Sequence, residues 1–146
     1  LLRLSDALGI GLQALVAVPQ TKPVKVVRTG TAPALWTGEG GGRGVLLAGT
    51  SPPDILELWD WTLAPGDRHD SEAHVRGTKE VLQVREGTVT VVVGDQTEVL
   101  GVDDAISFAS DVAHSYANEG AVPARFSLTV FEPGVGAAGK FEARHD

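Results

Sequence analysis

The sequence has 146 residues, of which 42% are hydrophobic, and it carries a formal net charge of −7 at pH 7. This length suits one domain with a substantial core and is short for two. The acidic balance disfavours general nucleic-acid binding, because phosphate binding requires a basic patch. The absence of cysteine excludes disulfides, thiolate metal sites and cysteine nucleophiles.

No apolar run reaches the length of a membrane span, and the apolar stretch at residues 12–18 lacks the features of a signal peptide. We therefore expect a cytoplasmic protein without a membrane partner. Methionine is absent even at position 1. We therefore expect that the sequence begins inside a longer gene product or was processed.

The first 18 residues have helical spacing. Leu4 and Leu8 recur at this spacing, Gly9 and Gly11 interrupt it, and Pro19 ends the segment. The interruption divides the segment into two short predicted helices, and two short helices cannot bury their apolar faces alone. We therefore predict that this segment is the end of another structural unit.

Beyond Pro19, short alternating segments are separated by Gly, Asp and Pro signals, and residues 38–44 form a glycine-rich loop. About nine short strands without long helices between them predict an all-β sandwich or barrel. The predicted strands are 24–28, 45–48, 55–63, 80–85, 88–93, 97–100, 105–108, 114–117 and 125–131.

Polar residues share the core faces of some of these strands. Glu80 is in register with Leu82 and Val84, and a buried carboxylate needs a partner. His114 shares a face with Tyr116 and Asn118. If residues 72–74 are extended, Glu72 and His74 lie on one face.

The alternation thus predicts that Glu72, His74, Glu80 and His114 meet inside the domain. Imidazole and carboxylate groups suit zinc, nickel, iron or manganese, with positions left open for a ligand. The alternative is a metal-free hydrogen-bonded network of the same side chains. His69 lies in a polar stretch and is predicted to be exposed, and His145 near the C-terminus is predicted to have no role.

The segment Gly66–His74, followed by Glu80 and Gly87, resembles the first cupin motif, which reads Gly, five residues, His-x-His, three or four residues, Glu, six residues, Gly. His114–Asn118 resembles the end of the second cupin motif, His-x-x-x-Asn. The resemblance covers residues 50–132 and implies a cupin fold, that is, a double-stranded β-helix or jelly-roll barrel. It also implies that His74, Glu80 and His114 are metal ligands.

The sequence departs from this family pattern at several positions. Glu72 replaces the first histidine of the His-x-His pair, so it matches in position only. The gap from His74 to Glu80 is one residue longer than usual, and Gly77 is predicted to absorb the extra residue. In the second motif, Asp103, Ala109 and Asp111 stand in place of Gly, Pro and Gly.

The N-terminal segment Leu1–Leu12 is similar to the last two helices of an XRE-type helix-turn-helix domain. We therefore predict a helix-turn-helix remnant at residues 1–18 and a cupin domain at residues 19–146. Together the two resemble the C-terminal portion of an XRE-family transcriptional regulator with a cupin sensor domain. The recognition helix would precede Leu1, so DNA binding would depend on a region absent from this chain.

This resemblance implies a sensor that binds a small-molecule effector, through a metal or without one, and forms a homodimer. Aromatic side chains are common in ligand pockets. The candidates here are Trp59, Trp61, Phe108 and Tyr116, and core packing is the alternative for at least two of them. A second hypothesis is a metal-dependent cupin enzyme of the oxygenase, epoxidase or isomerase type. A third is a cupin without a ligand site that serves only to dimerise.

Overall fold

A computed structural model describes residues 23–136 of the chain. The predictions for residues 1–18 and for His145 lie outside the described residues. Within them, the chain forms ten strands. These are β1 (Ala34–Thr37), β2 (Arg43–Gly49), β3 (Ile55–Leu63), β4 (Arg68–Ser71), β5 (Lys79–Glu86), β6 (Val89–Val93), β7 (Gln96–Leu100), β8 (Ala105–Ala109), β9 (His114–Ala117) and β10 (Ala124–Glu132).

The strands form two antiparallel sheets. The larger sheet has the order β1-β2-β3-β10-β5-β8, and the smaller has the order β4-β9-β6-β7. β10 lies at the centre of the larger sheet, paired with β3 on one side and with β5 on the other. The all-β fold predicted from the alternation is confirmed. No helix within residues 23–136 is long and apolar enough to cross a membrane.

The core lies between the inner faces of the two sheets. The larger sheet contributes Trp59, Trp61 and Phe126, all fully buried, and the smaller sheet contributes Val91 and Tyr116. Alternate residues of β3 and β10 are buried along their whole length, and those of β5 are buried as far as Val84, as the period of two predicts. The same inner faces therefore carry both the core and any polar residue in register with it.

Several predicted strand boundaries are confirmed, including 55–63 and 114–117. The strand predicted at residues 24–28 is wrong, because this segment is exposed and has no strand partner within the described residues. β1 and β4 were not predicted. The polar segment Arg68–Ser71 becomes a strand because it pairs with β9, so tertiary pairing outweighs its low strand propensity.

The buried carboxylate of Asp67 fixes the glycine-rich loop. It accepts hydrogen bonds from the backbone N–H groups of Gly40, Gly42 and Ala64 at 2.7, 2.8 and 2.9 Å. Burial raises the pKa of Asp67, but these backbone hydrogen bonds outweigh burial and hold the pKa below its usual value. The loop between β1 and β2 is thereby held against the turn between β3 and β4.

Candidate metal centre

Three side chains converge between the sheets at one end of the core. Nε2 of His74 lies 3.0 Å from Oε2 of Glu80, and Nε2 of His114 lies 3.2 Å from the same oxygen. One potential ligand atom from each of the three residues lies within 4.8 Å of the others. Glu80 is 1% exposed and His114 is 4% exposed. The predicted meeting of these three residues is therefore present in the structure.

Two of the three residues are positioned by strands. Glu80 is paired with Phe108 of β8 and with Val130 of β10, so the ladder holds its backbone on both sides. His114 opens β9, where it pairs with Ser71 of β4 and Val93 of β6. Each side chain points inward because it is in register with the core face of its strand.

His74 is positioned by a loop between β4 and β5. Its backbone N–H donates to the carbonyl oxygen of Ser110 at 3.0 Å. In the same loop, the N–H of Gly77 donates to Oδ2 of Asp111 at 3.2 Å, and Gly77 has φ of +90°. This left-handed conformation suits glycine and agrees with the prediction that Gly77 accommodates the additional residue. Both contacts tie this loop to the loop between β8 and β9.

Tyr116 orients the carboxylate of Glu80. The Tyr116 hydroxyl donates a hydrogen bond to Oε1 of Glu80, which leaves Oε2 facing the two histidines. Burial, followed by the nearby charge of Glu80, raises the pKa of Tyr116 well above its usual value, so the hydroxyl remains a donor. Burial also raises the pKa of Glu80, but the interactions with His114 and His74 outweigh burial and lower it to about 2. The carboxylate is therefore ionised.

The backbone sets the tautomer of His114. Nδ1 lies 2.8 Å from the carbonyl oxygen of Val112, and because a carbonyl only accepts, Nδ1 must carry the hydrogen. In the neutral ring Nε2 then presents a lone pair to the cluster. Nε2 lies 3.2 Å from Oε2 of Glu80, and a proton or a metal ion between these two atoms would remove the repulsion between their lone pairs. Metal-binding histidines are commonly held in this way by a backbone carbonyl.

The donor set fits a divalent transition metal. Two imidazoles and one carboxylate that approach from one side are typical of sites for iron and related ions, and such sites leave coordination positions open. His74, Glu80 and His114 would hold the ion, and Val112 and Tyr116 would orient two of the ligands. These three residues line a cavity of about 20 Å³, which is room for about one water-sized group.

A family model described as the cupin domain matches residues 59–131, half of the chain. The chain belongs to the cupin family. The match includes both strand-borne residues of the cluster and His74. The predicted cupin fold is therefore shown, whereas the predicted division of the chain at residue 18 stays a prediction.

Among solved structures, this cupin is similar to regulator domains and to cupins of other kinds. It is 27% identical to the cupin domain of an XRE family transcriptional regulator from Enterobacter cloacae, over 51% of this chain and 79% of that one, with a TM-score of 0.50. It is 32% identical to an HTH_3 family transcriptional regulator from Vibrio cholerae, over 53% of this chain and 43% of that one, with a TM-score of 0.51. This second match thus spans less than half of the Vibrio protein.

A predicted oxalate decarboxylase from Thermotoga maritima aligns with 74% of this cupin and 99% of its own chain, with a TM-score of 0.58. Its sequence identity is 16%, so this likeness shows the fold alone. No curated protein sequence matches the chain.

The fourth predicted ligand, Glu72, lies outside the cluster. β4 ends at Ser71, so residues 72–74 are not a strand, and the alternation that would place Glu72 beside His74 does not apply. Glu72 is exposed. The cluster in the structure therefore has three residues. Glu72, which replaces the first histidine of the His-x-His pair in the cupin motif, is not one of them.

The prediction that His69 is exposed is wrong. His69 lies on β4, is half-buried and lines the same cavity as the three cluster residues. Its ring contacts Trp36, Trp61 and Tyr116 with centroid distances of 5.6, 5.0 and 6.0 Å. Burial, together with the nearby His114, lowers the pKa of His69 to about 4, so the ring is neutral at pH 7.

Of the four aromatic residues predicted to bind a ligand, some line the cavity and others do not. Trp59 and Tyr116 line the cavity. Trp61 is a fully buried core residue that stacks on Phe126 with a centroid distance of 5.9 Å. Phe108 is half-buried and contacts the ring of His114 edge-on at 5.5 Å. The structure thus places two of the four in the cavity wall.

Two further carboxylates in the cavity wall were not singled out from the sequence. Glu57 of β3 and Glu132 of β10 are 6% and 5% exposed, and both line the cavity. A signal was available, because Glu57 alternates in register with Ile55 and Trp59, as Glu132 does with Val130. The alternation that identified Glu80 would therefore have identified both.

Proposed function

We propose that this chain is the effector-binding domain of a DNA-binding transcriptional regulator, in which a divalent metal held by His74, Glu80 and His114 helps to bind a small molecule. The observation that carries the proposal is the convergence of three buried ligand atoms within 4.8 Å. The regulator context is supported by the likeness to regulators from Enterobacter cloacae and Vibrio cholerae at 27% and 32% identity.

A bound divalent ion would supply a positive charge and open coordination positions for an oxygen or nitrogen atom of the effector. The protein supplies the orientation of the ligands. Val112 fixes the ring of His114, and Tyr116 donates to Oε1 of Glu80, so Oε2 would remain to hold the ion. DNA contact would fall to the helix-turn-helix that the N-terminal segment resembles, and a homodimer would bring two such units together.

The competing proposal is a metal-dependent cupin enzyme. Two histidines and a carboxylate with open positions also suit iron-dependent oxidation chemistry, and fold predicts function weakly. The enzyme proposal expects turnover that depends on the metal and is lost in Glu80→Gln. The regulator proposal expects that a small molecule binds without being converted.

The metal is tested by elemental analysis of the purified protein after exposure to each candidate ion. We expect about one equivalent of a transition metal in the wild type and much less in Glu80→Gln. Glu98→Gln serves as the control, because Glu98 is exposed on β7 and outside the cluster. Equal metal content in all three proteins would exclude this site.

The regulator context is tested by capturing fragmented genomic DNA with the whole gene product that carries this chain. We expect a small number of discrete sites to be enriched, with an occupancy that changes when the metal is removed. Uniform capture, or none, would exclude the DNA-binding proposal without affecting the metal measurement.

A further inference from the structure

A second cavity lies between β7 and β8, which are edge strands of different sheets. Within residues 23–136 each of them has a neighbouring strand on one side only, because β7 ends the smaller sheet and β8 ends the larger one. The cavity has a volume of about 260 Å³. None of the described residues that line it also lines the cavity of the metal centre. This space, the edge cleft, is therefore distinct from the metal centre.

The edge cleft exists because the two sheets separate along β7. In the β6–β7 ladder Glu98 lies opposite Val91, a core residue, so alternate residues of β7 face the interior. Leu100 is 8% exposed at the end of β7 that leads to β8. Glu98 and Gln96 occupy equivalent positions further along the strand and are exposed. The interior is thus closed at Leu100 and open to solvent beyond it.

The opposite wall of the edge cleft is apolar. Phe108 lies opposite Glu80 in the β5–β8 ladder, so Phe108 and Ile106 face the interior. Both pack against the hydrophobic core, as does Val93 at the end of β6, yet all three are only half-buried. Their remaining surface is available to a ligand. A mainly apolar wall with a few polar groups is typical of small-molecule sites.

The polar groups around the edge cleft are mostly neutral. Glu98 is the one charged side chain among the described residues that line it. Nε2 of Gln96 donates to Oε2 of Glu98 at 2.8 Å, so this carboxylate already has a partner. The free edges of β7 and β8 contribute backbone N–H and C=O groups. An uncharged hydroxyl or amide can bond to such groups, whereas the carboxylate of an anionic ligand would be repelled by Glu98.

A strand from another polypeptide is a poorer occupant of the edge cleft than a small molecule. A charged side chain that points inward is one of the devices by which edge strands avoid pairing with a further strand, and Glu98 has this position on β7. The volume of about 260 Å³ is close to the lower end of the roughly 300–1,000 Å³ of small-molecule pockets. Charge and size therefore favour a small molecule.

We propose that the edge cleft is a binding site for a small, uncharged and mainly apolar molecule that carries a hydroxyl or amide group. Its apolar body would contact Val93, Ile106 and Phe108, and its polar group would bond to the free strand edges. The ring of Phe108 also contacts that of His114, so the site adjoins the metal centre. Because no metal ligand lines the edge cleft, the inference is independent of the proposed function.

Three probes test the chemistry of the site: 4-phenylbutan-1-ol, 4-phenylbutyrate and butane-1,4-diol. The first has an apolar body and a hydroxyl group, the second carries a carboxylate in place of the alcohol, and the third lacks the ring. Calorimetry measures their binding to the wild-type protein. We expect phenylbutanol to bind, phenylbutyrate to bind at least roughly tenfold more weakly, and butanediol not to bind. Absence of phenylbutanol binding, or equal or tighter binding of the carboxylate, would overturn the proposal.

Two substitutions on neighbouring residues of β7 locate the bound probe. Gln96→Trp places a large ring at an inner-face position, where it would fill the edge cleft, and Thr97→Trp places the same ring on the outer face. Both positions are exposed, so we expect both variants to fold, which circular dichroism checks. Phenylbutanol affinity should fall at least roughly tenfold in Gln96→Trp and change less than about twofold in Thr97→Trp. Equal affinity in the two folded variants would contradict the proposal.

A third substitution removes part of the apolar wall without filling the edge cleft. Ile106→Ala should weaken phenylbutanol binding about fivefold, because it deletes apolar contact area. Val99→Ala is the control, since Val99 is 64% exposed and lies opposite Thr90, on the outer face of β7. An Ile106→Ala protein that binds phenylbutanol as tightly as the control would place the probe elsewhere on the molecule.

Metal content separates this proposal from the proposed function. Phenylbutanol binding should persist in Glu80→Gln, because Glu80 does not line the edge cleft. If the probe binds and Glu80→Gln leaves metal content unchanged, the edge cleft stands and the proposed metal centre fails. If metal content falls in Glu80→Gln and the probe does not bind the wild type, only the edge cleft proposal fails.

Discussion

Two parts of the chain bring ligands to the same point by different means. Glu80 and His114 are held by strands whose neighbours fix the backbone on both sides. His74 is held by a loop that is tied to the β8–β9 loop through Ser110 and Asp111. The strand positions share the stability of the sheets, whereas the loop position depends on a few local contacts. Changes in the strands and in the loop should therefore have separable effects.

The largest effect is expected at the strand position that contacts both histidines. Glu80→Gln removes the only carboxylate of the described three-residue cluster. We expect metal affinity to fall by more than the roughly 10–100-fold that is typical of losing an outer-sphere partner. Isothermal titration with the preferred ion gives the affinity, and circular dichroism reports whether the sheets are retained. A fall of less than tenfold in the folded variant would show that the histidines suffice.

Alternation predicted the strand positions and could not predict the loop. Glu80 and His114 are buried because they follow the period of their strands, which the sequence displays. Glu72 lies outside the cluster because β4 ends at Ser71, and nothing in the local sequence marks that end. The burial of His69 arises from pairing with β9 and from contact with Trp36 of β1, a strand that the sequence did not predict. Such features depend on tertiary partners rather than on local pattern.

The second effect concerns pH. His69 has a pKa of about 4 in the folded protein, below the usual value of 6.5 for a histidine side chain. The unfolded chain therefore binds the proton first as pH falls, so the contribution of His69 to folding stability decreases between pH 6.5 and 4 and is constant below pH 4. The loss is on the order of 3 kcal/mol at 1.36 kcal/mol per pKa unit. Urea unfolding of the metal-free protein across this range measures it.

The control is His69→Phe, which keeps an aromatic ring against Trp61 and removes the titrating group. Its stability should vary less with pH between 6.5 and 4 than that of the wild type. Glu80, with a pKa of about 2 against the usual 4.5 of a glutamate side chain, contributes stability that is present above pH 4.5 and lost as pH falls to 2. The pH range in which His69 affects stability, 6.5 to 4, therefore adjoins the range of Glu80, 4.5 to 2, and overlaps it only slightly. An equal slope in wild type and variant would indicate that His69 titrates normally.

The third effect tests how a strand residue supports a neighbouring ligand. Tyr116→Phe removes the hydroxyl that donates to Oε1 of Glu80 while the ring remains in the core. We expect metal affinity to fall roughly 10–100-fold, the usual cost of losing an outer-sphere partner. Titration with the metal measures this loss, and Tyr116 is the only tyrosine, so its absorbance reports the substitution. Unchanged affinity would mean that the sheet alone orients Glu80.

The smallest effect is expected in the loop, where it separates ligand placement from fold stability. Gly77 has φ of +90°, and an added Cβ would lie 3.1 Å from Cγ of Pro133. Gly94, between β6 and β7, has φ of +60° and open space around an added Cβ. Both Gly→Ala changes should cost about 1 kcal/mol of stability through backbone strain.

Only Gly77→Ala should also shift His74, because Gly77 lies in the loop that carries it. We therefore expect similar melting temperatures for the two variants and a several-fold weaker metal affinity for Gly77→Ala alone. Equal metal affinity in both would show that the contact of His74 with Ser110 fixes this ligand without help from Gly77, and the loop would then be as firmly set as the strands.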